Sequence, residues 1–376
     1  MNRARLILAP GKERSLQRRH PWLFSGAVRH VEGSPEEGDV VDVVSADGCW
    51  MATGHYQKGT IVCKVLSFDT REVDREFFRQ RIRSAVACRE RMGFWRTSDT
   101  NVFRLVHAEG DFMPGLVCDW YNGVLVMQAH SAGMHRVFPM LSELFVEELG
   151  SYGLKAIFDK SAATLPGGAE DGYLWGIAPQ EWECMEGGCR IVVNFYEGQK
   201  TGFFVDQREN RMLVASLAKG HTVLNCFGYT GGFTLGALKG GAQYVETVDV
   251  SRKAIALCER NVALNFGDMA PHKGVVADAL RYLDGEGSKF DFIILDPPAF
   301  AKSHHQLQQG LKGYRTINQR AMEMIRPGGL LMTFSCSQAV SVEDFRTMVF
   351  TSAALARRQV RVIRTLSHAA EQPVSI

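Results

Sequence analysis

Apolar positions follow one rhythm in the second half of the chain and another in the first. From about residue 222 onward, short unbroken apolar runs alternate with stretches whose apolar residues recur every three or four positions. The runs are Val223-Leu-Asn-Cys226, Tyr244-Val-Glu-Thr-Val248, Gly274-Val-Val-Ala277, Phe290-Asp-Phe-Ile-Ile-Leu295 and Gly328-Gly-Leu-Leu-Met-Thr-Phe334. Between them, Leu235, Ala237 and Leu238, and then residues 253–264, carry helical spacing. Strands buried on both faces read as continuous apolar runs, and their alternation with helices predicts a parallel, doubly wound α/β sheet. A last run, Val360-Arg-Val-Ile363, predicts one more strand.

The first half has a different grain. Residues 1–72 read as a small β-rich domain: Leu6-Ile-Leu8, Val40-Val-Asp-Val-Val44 and Ile61-Val-Cys-Lys-Val-Leu66 are strand-like runs, separated by the turn signals Gly38-Asp39, Asp47-Gly48 and Lys58-Gly59. Residues 73–188 predict a compact α+β domain. It has a charged helix over Arg75–Arg91, strands near 103–107, 116–118, 123–128 and 156–158, and a helix over 134–149. Residues 189–376 form the third, Rossmann-like domain.

Between the first run and the helix after it lie Gly228, Gly231 and Gly232, with Tyr229 and Thr230 among them. Strand, glycine-rich turn and helix is the layout that lets a backbone approach a nucleotide-like ligand. The next run ends at Asp249, 21 residues past Gly228. That is close to the spacing at which such folds hold a carboxylate to ribose hydroxyls. Asp278 ends the following run in the same way, and both acids point to one crevice at the carboxyl ends of the strands. The GxxGG spacing departs from GxGxxG and argues against a dinucleotide pyrophosphate, hence against a nicotinamide dehydrogenase. The stretch Gly198 to Gln207, with Phe203 and Phe204, could close over the cofactor.

The fourth run stops at Asp296-Pro297-Pro298-Ala299-Phe300. Two prolines cannot donate to a ladder, so the strand ends abruptly and leaves a fixed acceptor beside an aromatic ring. That suits a flat heterocycle, bonded at its edge and stacked on its face. The fifth run ends in Ser335-Cys336-Ser337. Neighbouring strands would bring Cys336 to Asp296, which singles it out from the other cysteines as a candidate nucleophile.

Composition changes little. Charged residues are 22% and apolar residues 45%, ordinary for a globular chain, and 376 residues suffice for two or three cores. No apolar stretch approaches the roughly 20 residues of a membrane span, and no signal peptide is recognisable, so a cytoplasmic protein is expected. Nine scattered cysteines without a CxxC pair predict neither disulfides nor zinc. A net charge of +2 requires that any nucleic-acid surface be local. Lys12-Glu-Arg-Ser-Leu-Gln-Arg-Arg-His20 beside Trp22 and Phe24 is one such segment. His304-His305, with Lys302 and Lys312 nearby, reads as an RNA-facing loop in preference to a metal site.

Four strings resemble a known family in the same order: Gly198-Gln-Lys-Thr-Gly-Phe-Phe-Val-Asp-Gln-Arg-Glu-Asn-Arg211, Asn225-Cys-Phe-Gly-Tyr-Thr-Gly-Gly-Phe233, Asp296-Pro-Pro-Ala-Phe300 and Phe334-Ser-Cys-Ser337. With His20-Pro-Trp-Leu-Phe-Ser-Gly-Ala27, which resembles the start of a PUA domain, they are similar to the PUA-containing class I S-adenosylmethionine-dependent methyltransferases of the large-subunit rRNA cytosine-5 type. The resemblance covers almost the whole chain. It implies S-adenosylmethionine as cofactor, a cytosine of 23S rRNA as target, Cys336 as nucleophile and Asp296 as its catalytic partner. It also implies an rRNA-docking N-terminal domain, and it allows a homodimer. The candidate cofactor contacts are Phe203, Gln207, Asn225, Phe227, Gly228, Tyr229, Thr230, Gly231, Asp249, Asn265, Asp278 and Asp296. One departure stands out: family members continue past a segment like 368–374 with a final strand, so the methyltransferase domain is expected to lack its last strand.

The chemistry suits these residues. Carbon 5 of cytosine is a poor nucleophile; a thiolate adding to C6 makes C5 enamine-like, and Asp296 could hold N3. An exocyclic-amine methyltransferase would use the same Asp-Pro-Pro loop and leave Cys336 idle. An RNA-binding protein with a vestigial cofactor site is a third reading.

Overall fold

The computed structural model describes residues 3–285 and 289–375. The chain divides into two compact units. One comprises Met1–Gly188, Val193–Asp206 and His368–Ile376; the other comprises Cys189–Val192 and Gln207–Ser367.

Among the described residues, the N-terminal unit contains a six-stranded and a five-stranded sheet, besides strand Glu181–Glu186, which pairs with Cys189–Asn194. The first has six strands in the order Trp22–Phe24, Ile61–Ser67, Trp50–Tyr56, Val40–Val44, Arg5–Leu8, Val28–Glu32. Leu6, Leu8, Leu23, Val41, Val43, Cys63 and Val65 fill its core. The second has five strands in the order Gly172–Gly176, Ala156–Asp159, Val124–Ala129, Leu116–Tyr121, Val102–His107. It shares a core with the helices Arg75–Arg91 and Phe138–Leu149 through Phe78, Ile82, Leu125, Leu141 and Phe145. Each of the two sheets has its own core.

The expected boundary at 188 is less simple. Residues 193–206 belong with the N-terminal unit because Phe195 packs on Phe158 (ring centroids 5.3 Å) and Thr201 hydrogen-bonds the buried Asp119 carboxylate. The tail from His368 belongs there too: buried Arg89 donates to the Glu371 carbonyl at 2.7 Å. The helix expected over 134–149 is broken at Val137, since Pro139 starts a new helix and cannot continue the old one. Strands at Trp22–Phe24, Val28–Glu32 and Trp50–Tyr56 have too little alternation to stand out in the sequence.

His55 is 2% exposed, and its ring lies against Gly133, where an added Cβ would fall 2.4 Å away. Burial and the nearby Arg136 charge lower its pKa to about 4. The unfolded chain therefore takes up a proton near pH 6.5, before the folded chain does. Stability conferred by neutral His55 is complete above pH 6.5 and declines as the pH falls toward 4. The loss is on the order of 3 kcal/mol. Urea midpoints at pH 7.5, 5.5 and 4.5 should show this decline, and His55→Leu should flatten it. A variant as acid-labile as the wild type would exclude His55 as the cause.

The second unit holds five strands: β1 (Thr222–Cys226), β2 (Tyr244–Asp249), β3 (His272–Val276), β4 (Phe292–Leu295) and β5 (Leu330–Thr333). They lie in the order β3-β2-β1-β4-β5, and every pair is parallel. Its helices are α1 (Arg208–Leu217), α2 (Gly232–Lys239), α3 (Arg252–Phe266), α4 (Ala279–Tyr282), α5 (Leu307–Met324) and α6 (Val342–Leu355). This is the doubly wound sheet predicted from the apolar runs. The register pairs Cys226 with both Val248 and Leu295, and Leu295 with Thr333, so the carboxyl ends of four strands finish level. Order reverses between β1 and β4, and the crevice for a ligand lies above that point. The strand expected at Val360-Arg-Val-Ile363 does not form. These residues are exposed and irregular, and no strand among the described residues pairs with β5 on its outer side to extend the sheet to them.

Candidate active site

The glycine loop is held open by backbone conformations that most residues avoid. Phe227 (φ 60°), Tyr229 (φ 46°) and Gly231 (φ 88°) all lie in the left-handed region, and Gly231 caps α2. Non-glycine residues there cost roughly 1–3 kcal/mol each and persist only where neighbours enforce them. Here Gly228 lets the loop rest directly on β2: a Cβ would stand 2.2 Å from Thr247 Cγ2. Asp249 secures the far side. Its carboxylate accepts the Tyr229 N–H at 2.9 Å and the Ser251 N–H at 2.8 Å. Each carboxylate oxygen retains a lone pair for a further donor.

A second feature of this rim is not evident from the glycine pattern. Val250, the residue after Asp249, is 75% exposed. Phe227, Ala277 and Leu280 are half-buried around one core cluster at the same ends of the strands. An apolar residue directly following a strand-end carboxylate is the signal that could have identified Val250. Carboxylate for hydroxyls, apolar surface for a purine face, and a helix N-terminus at a tight turn together suit an adenosine-type cofactor.

Several expected contacts have other work. Asn225 is fully buried; its Nδ2 donates to Thr234 Oγ1 at 3.0 Å, and Thr234 continues to Thr247 (2.6 Å) and His272 (2.9 Å). It therefore supports the loop from below and offers a ligand no surface. Asn265 exchanges hydrogen bonds with the Arg190 backbone, donating to the carbonyl and accepting the N–H, both at 2.7 Å. One turn earlier Asn261 accepts the Val192 N–H at 2.9 Å and donates to the Thr230 carbonyl at 3.0 Å. The pair holds strand residues 190–192 against α3. Asp278 caps α4 by accepting the Arg281 N–H at 3.0 Å. Phe203 is buried in the N-terminal unit, where the Tyr121 hydroxyl reaches its carbonyl at 3.5 Å. Thr230 is buried as well, and its carbonyl is the one Asn261 holds.

At the other side of the switch point, three expected residues meet. Gln207, at the N-terminus of α1, donates from Nε2 to Asp296 Oδ1 at 3.3 Å and accepts from Asn210 at 2.6 Å. Cys336 Sγ lies 3.5 Å from the Pro297 carbonyl oxygen, and the cysteine is exposed. The thiol is thus exposed and lies one residue from the Asp296 backbone.

Tyr314 on α5, with no exposed surface, fastens these two loops together. Its hydroxyl is 2.8 Å from Ser337 Oγ and 3.5 Å from the Pro298 carbonyl, and it accepts the Phe300 N–H at 3.4 Å. Ser337 Oγ in turn accepts the Ala301 N–H at 3.1 Å. One buried hydroxyl thus ties the Asp-Pro-Pro loop to the residue after Cys336. Tyr314→Phe should leave the fold and the ligand affinity intact but slow turnover roughly tenfold, because small misplacements of reacting groups are costly. Equal turnover numbers for variant and wild type would show that the hydroxyl only packs.

Among the described residues no helix is long and apolar enough to cross a membrane. No group of three or more His, Cys, Asp and Glu side chains there could hold a metal ion.

A level-ended parallel sheet, a glycine loop locked to a strand-end carboxylate, and an Asp-Pro-Pro loop define a nucleoside-cofactor transferase. Residues 156–371 match the S-adenosylmethionine-dependent methyltransferase family, to which the chain belongs, and residues 6–68 match the PUA-like domain. The chain is 39% identical over 379 residues to the ribosomal RNA large subunit methyltransferase I of Shewanella denitrificans, covering 99% of this chain and 95% of that protein. It is 38% identical over 383 residues to the protein of the same name from Aeromonas hydrophila, with the same coverage. A solved methyltransferase complexed with SAH superposes with a TM-score of 0.86, covering 99% of this chain and 96% of that chain at 22% identity. A SAM-dependent methyltransferase from Streptococcus mutans gives 0.84, at 98% and 95% coverage and 22% identity. These two likenesses show the fold.

Proposed function

We propose that the protein methylates carbon 5 of a cytosine in large-subunit ribosomal RNA, in the cytoplasm, through a covalent adduct on Cys336. The observation that carries this reading is an exposed thiol 3.5 Å from the carbonyl of the Asp-Pro-Pro loop. The names of the full-length relatives support RNA as the substrate class, and the PUA-like match supports an RNA-docking N-terminal region.

S-adenosylmethionine, when bound, supplies an electrophilic methyl group. Asp249 would accept the ribose hydroxyls, the loop from Phe227 to Gly231 would line the crevice, and Val250 would lie against the purine. The target base must first leave its stack. The Cys336 thiolate then forms a bond to C6, which makes C5 nucleophilic toward the methyl group. Asp296, positioned by Gln207, would deliver a proton from its carboxyl group to N3 as the thiolate adds, and take it back when the adduct collapses. Removal of the C5 proton by a base restores the double bond and expels the thiolate.

The test is trapping. RNA containing 5-fluorocytidine has no C5 proton to lose, so incubation with enzyme and S-adenosylmethionine should leave a denaturant-stable conjugate whose attachment maps to Cys336 by mass spectrometry. Methylated product without any conjugate, carrying the methyl group on the exocyclic amine, would sink the C5 reading.

A further inference from the structure

Between Asp296 and Glu323 the chain has no acidic residue, although acids are 41 of its 376 residues. The same stretch carries Lys302, Lys312, Arg315 and Arg320, together with His304 and His305. Two cations of this unit are matched closely: Lys289 by Glu246 at 2.9 Å, and Arg320, within the stretch, by Asp284 at 2.8 Å. Among the described residues, Lys302, Lys312 and Arg315 make no ion pair.

Their place in the fold ties them to the reacting groups. Helix α5 presses one face onto the Asp-Pro-Pro loop. A Cβ at Gly310 would lie 2.6 Å from Ala301 Cβ, one at Gly313 would lie 3.0 Å from the Phe300 ring, and the Tyr314 and Phe300 rings are 4.7 Å apart. With Gly310, Gly313 and Tyr314 turned inward, helical spacing puts Gln308, Lys312 and Arg315 on another face. Lys302, Gln308, Gln309 and Lys312 are exposed, and Arg315 is half-exposed. Lys302 directly follows Ala301, whose N–H is bonded to Ser337 beside Cys336.

We propose that Lys302, Lys312 and Arg315, with the amides of Gln308 and Gln309 between them, bind the backbone phosphates of the RNA strand flanking the target base. The inference rests on the RNA-methyltransferase reading and adds to it a grip within the catalytic unit, separate from the PUA-like domain. A strip that must hold phosphates close to a nucleophile gains from cations and amide donors and is harmed by any carboxylate. That accounts for the acid-free stretch, which helix formation alone does not require. It also accounts for cations left without intramolecular partners.

The experiment measures binding of the full-length chain to deproteinised large-subunit rRNA across a salt series. The triple variant Lys302→Gln/Lys312→Gln/Arg315→Gln is compared with a control that removes equal charge from exposed sites in the same unit, Lys219→Gln/Arg361→Gln/Arg364→Gln. Each single-strand phosphate that the protein no longer neutralises lowers the slope of log affinity against log salt by about 0.7, so the strip variant should lose about 2. Its KM for RNA should rise at least tenfold at 0.15 M salt, with an unchanged S-adenosylmethionine affinity by calorimetry and an unchanged melting temperature. The control should keep the wild-type slope. A strip variant with wild-type slope and KM overturns the proposal while leaving the methyltransferase reading in place. Equal losses in strip and control overturn it as well, since only overall charge would then matter. Wild-type RNA binding with the predicted slope change but no methyl transfer would instead reject the methyltransferase reading and keep the strip.

Discussion

Replacing Cys336 by serine is expected to reduce methyl transfer to RNA by roughly four orders of magnitude or more, the scale seen when a covalent nucleophile is removed. A hydroxyl is far too weak an acid to be present as the anion, whereas a thiol with an ordinary pKa of about 8.5 is partly ionised near neutrality. The fold should tolerate the change. Cys336 is exposed and lies outside the core clusters, and the loop around it is fastened by Ser337 and Tyr314. S-adenosylmethionine affinity, which the proposed reading assigns to Asp249 and the glycine loop on the opposite side of the switch point, should stay within twofold of wild type. Transfer of tritiated methyl groups to rRNA, measured beside calorimetric titration with the cofactor, separates the two effects. Normal transfer by Cys336→Ser would assign the chemistry to the exocyclic amine, where Asp296 alone accepts from the amino group.

What could be read from the sequence, and what could not, divides along the range of the interactions. The five strands and the helices of the catalytic unit are local patterns, and the strand-end positions of Asp249, Asp296 and Cys336 follow from them once parallel order is assumed. The Cys336 to Pro297 contact needs only that β4 and β5 be neighbours. Asn265 and Asp278 have structural partners the sequence does not announce: short polar side chains at helix ends serve equally as caps, backbone partners and ligand contacts, and the choice depends on what passes nearby. Arg190 passes Asn265, and nothing in the spacing announces it. Phe203 is buried in the N-terminal unit, and its proximity in sequence to α1 does not decide which unit buries it. Tyr314 looks like one more core aromatic on a helix face. Its importance lies in a hydroxyl that meets two loops 14 and 23 residues away, which no periodicity encodes. Val250 carried a signal, an apolar residue left at a strand end after the acid, but without the sheet its exposure was invisible.

Asp249→Ala should produce the opposite pattern to the cysteine variant. In the proposed reading the carboxylate would do two jobs at once: it would offer acceptors to the cofactor's hydroxyls, and it holds the Tyr229 and Ser251 N–H groups. Removing it takes away the charge-assisted bonds and releases a loop whose Phe227 and Tyr229 sit in left-handed conformations only because they are held there. A Kd for S-adenosylmethionine raised about a hundredfold is expected, corresponding to about 2.7 kcal/mol. RNA binding should be untouched. Asp278→Ala is the informative comparison, because Asp278 also follows closely on a strand and also accepts a backbone N–H. If it is only the cap of α4, its loss costs about 1 kcal/mol of stability and leaves the cofactor Kd within threefold. Calorimetric titration of both variants tests the ranking. Equal weakening would return Asp278 to the cofactor site, whereas full affinity in Asp249→Ala would mean that the carboxylate serves the loop and not the ribose, and the placement of the cofactor at β2 would have to be abandoned.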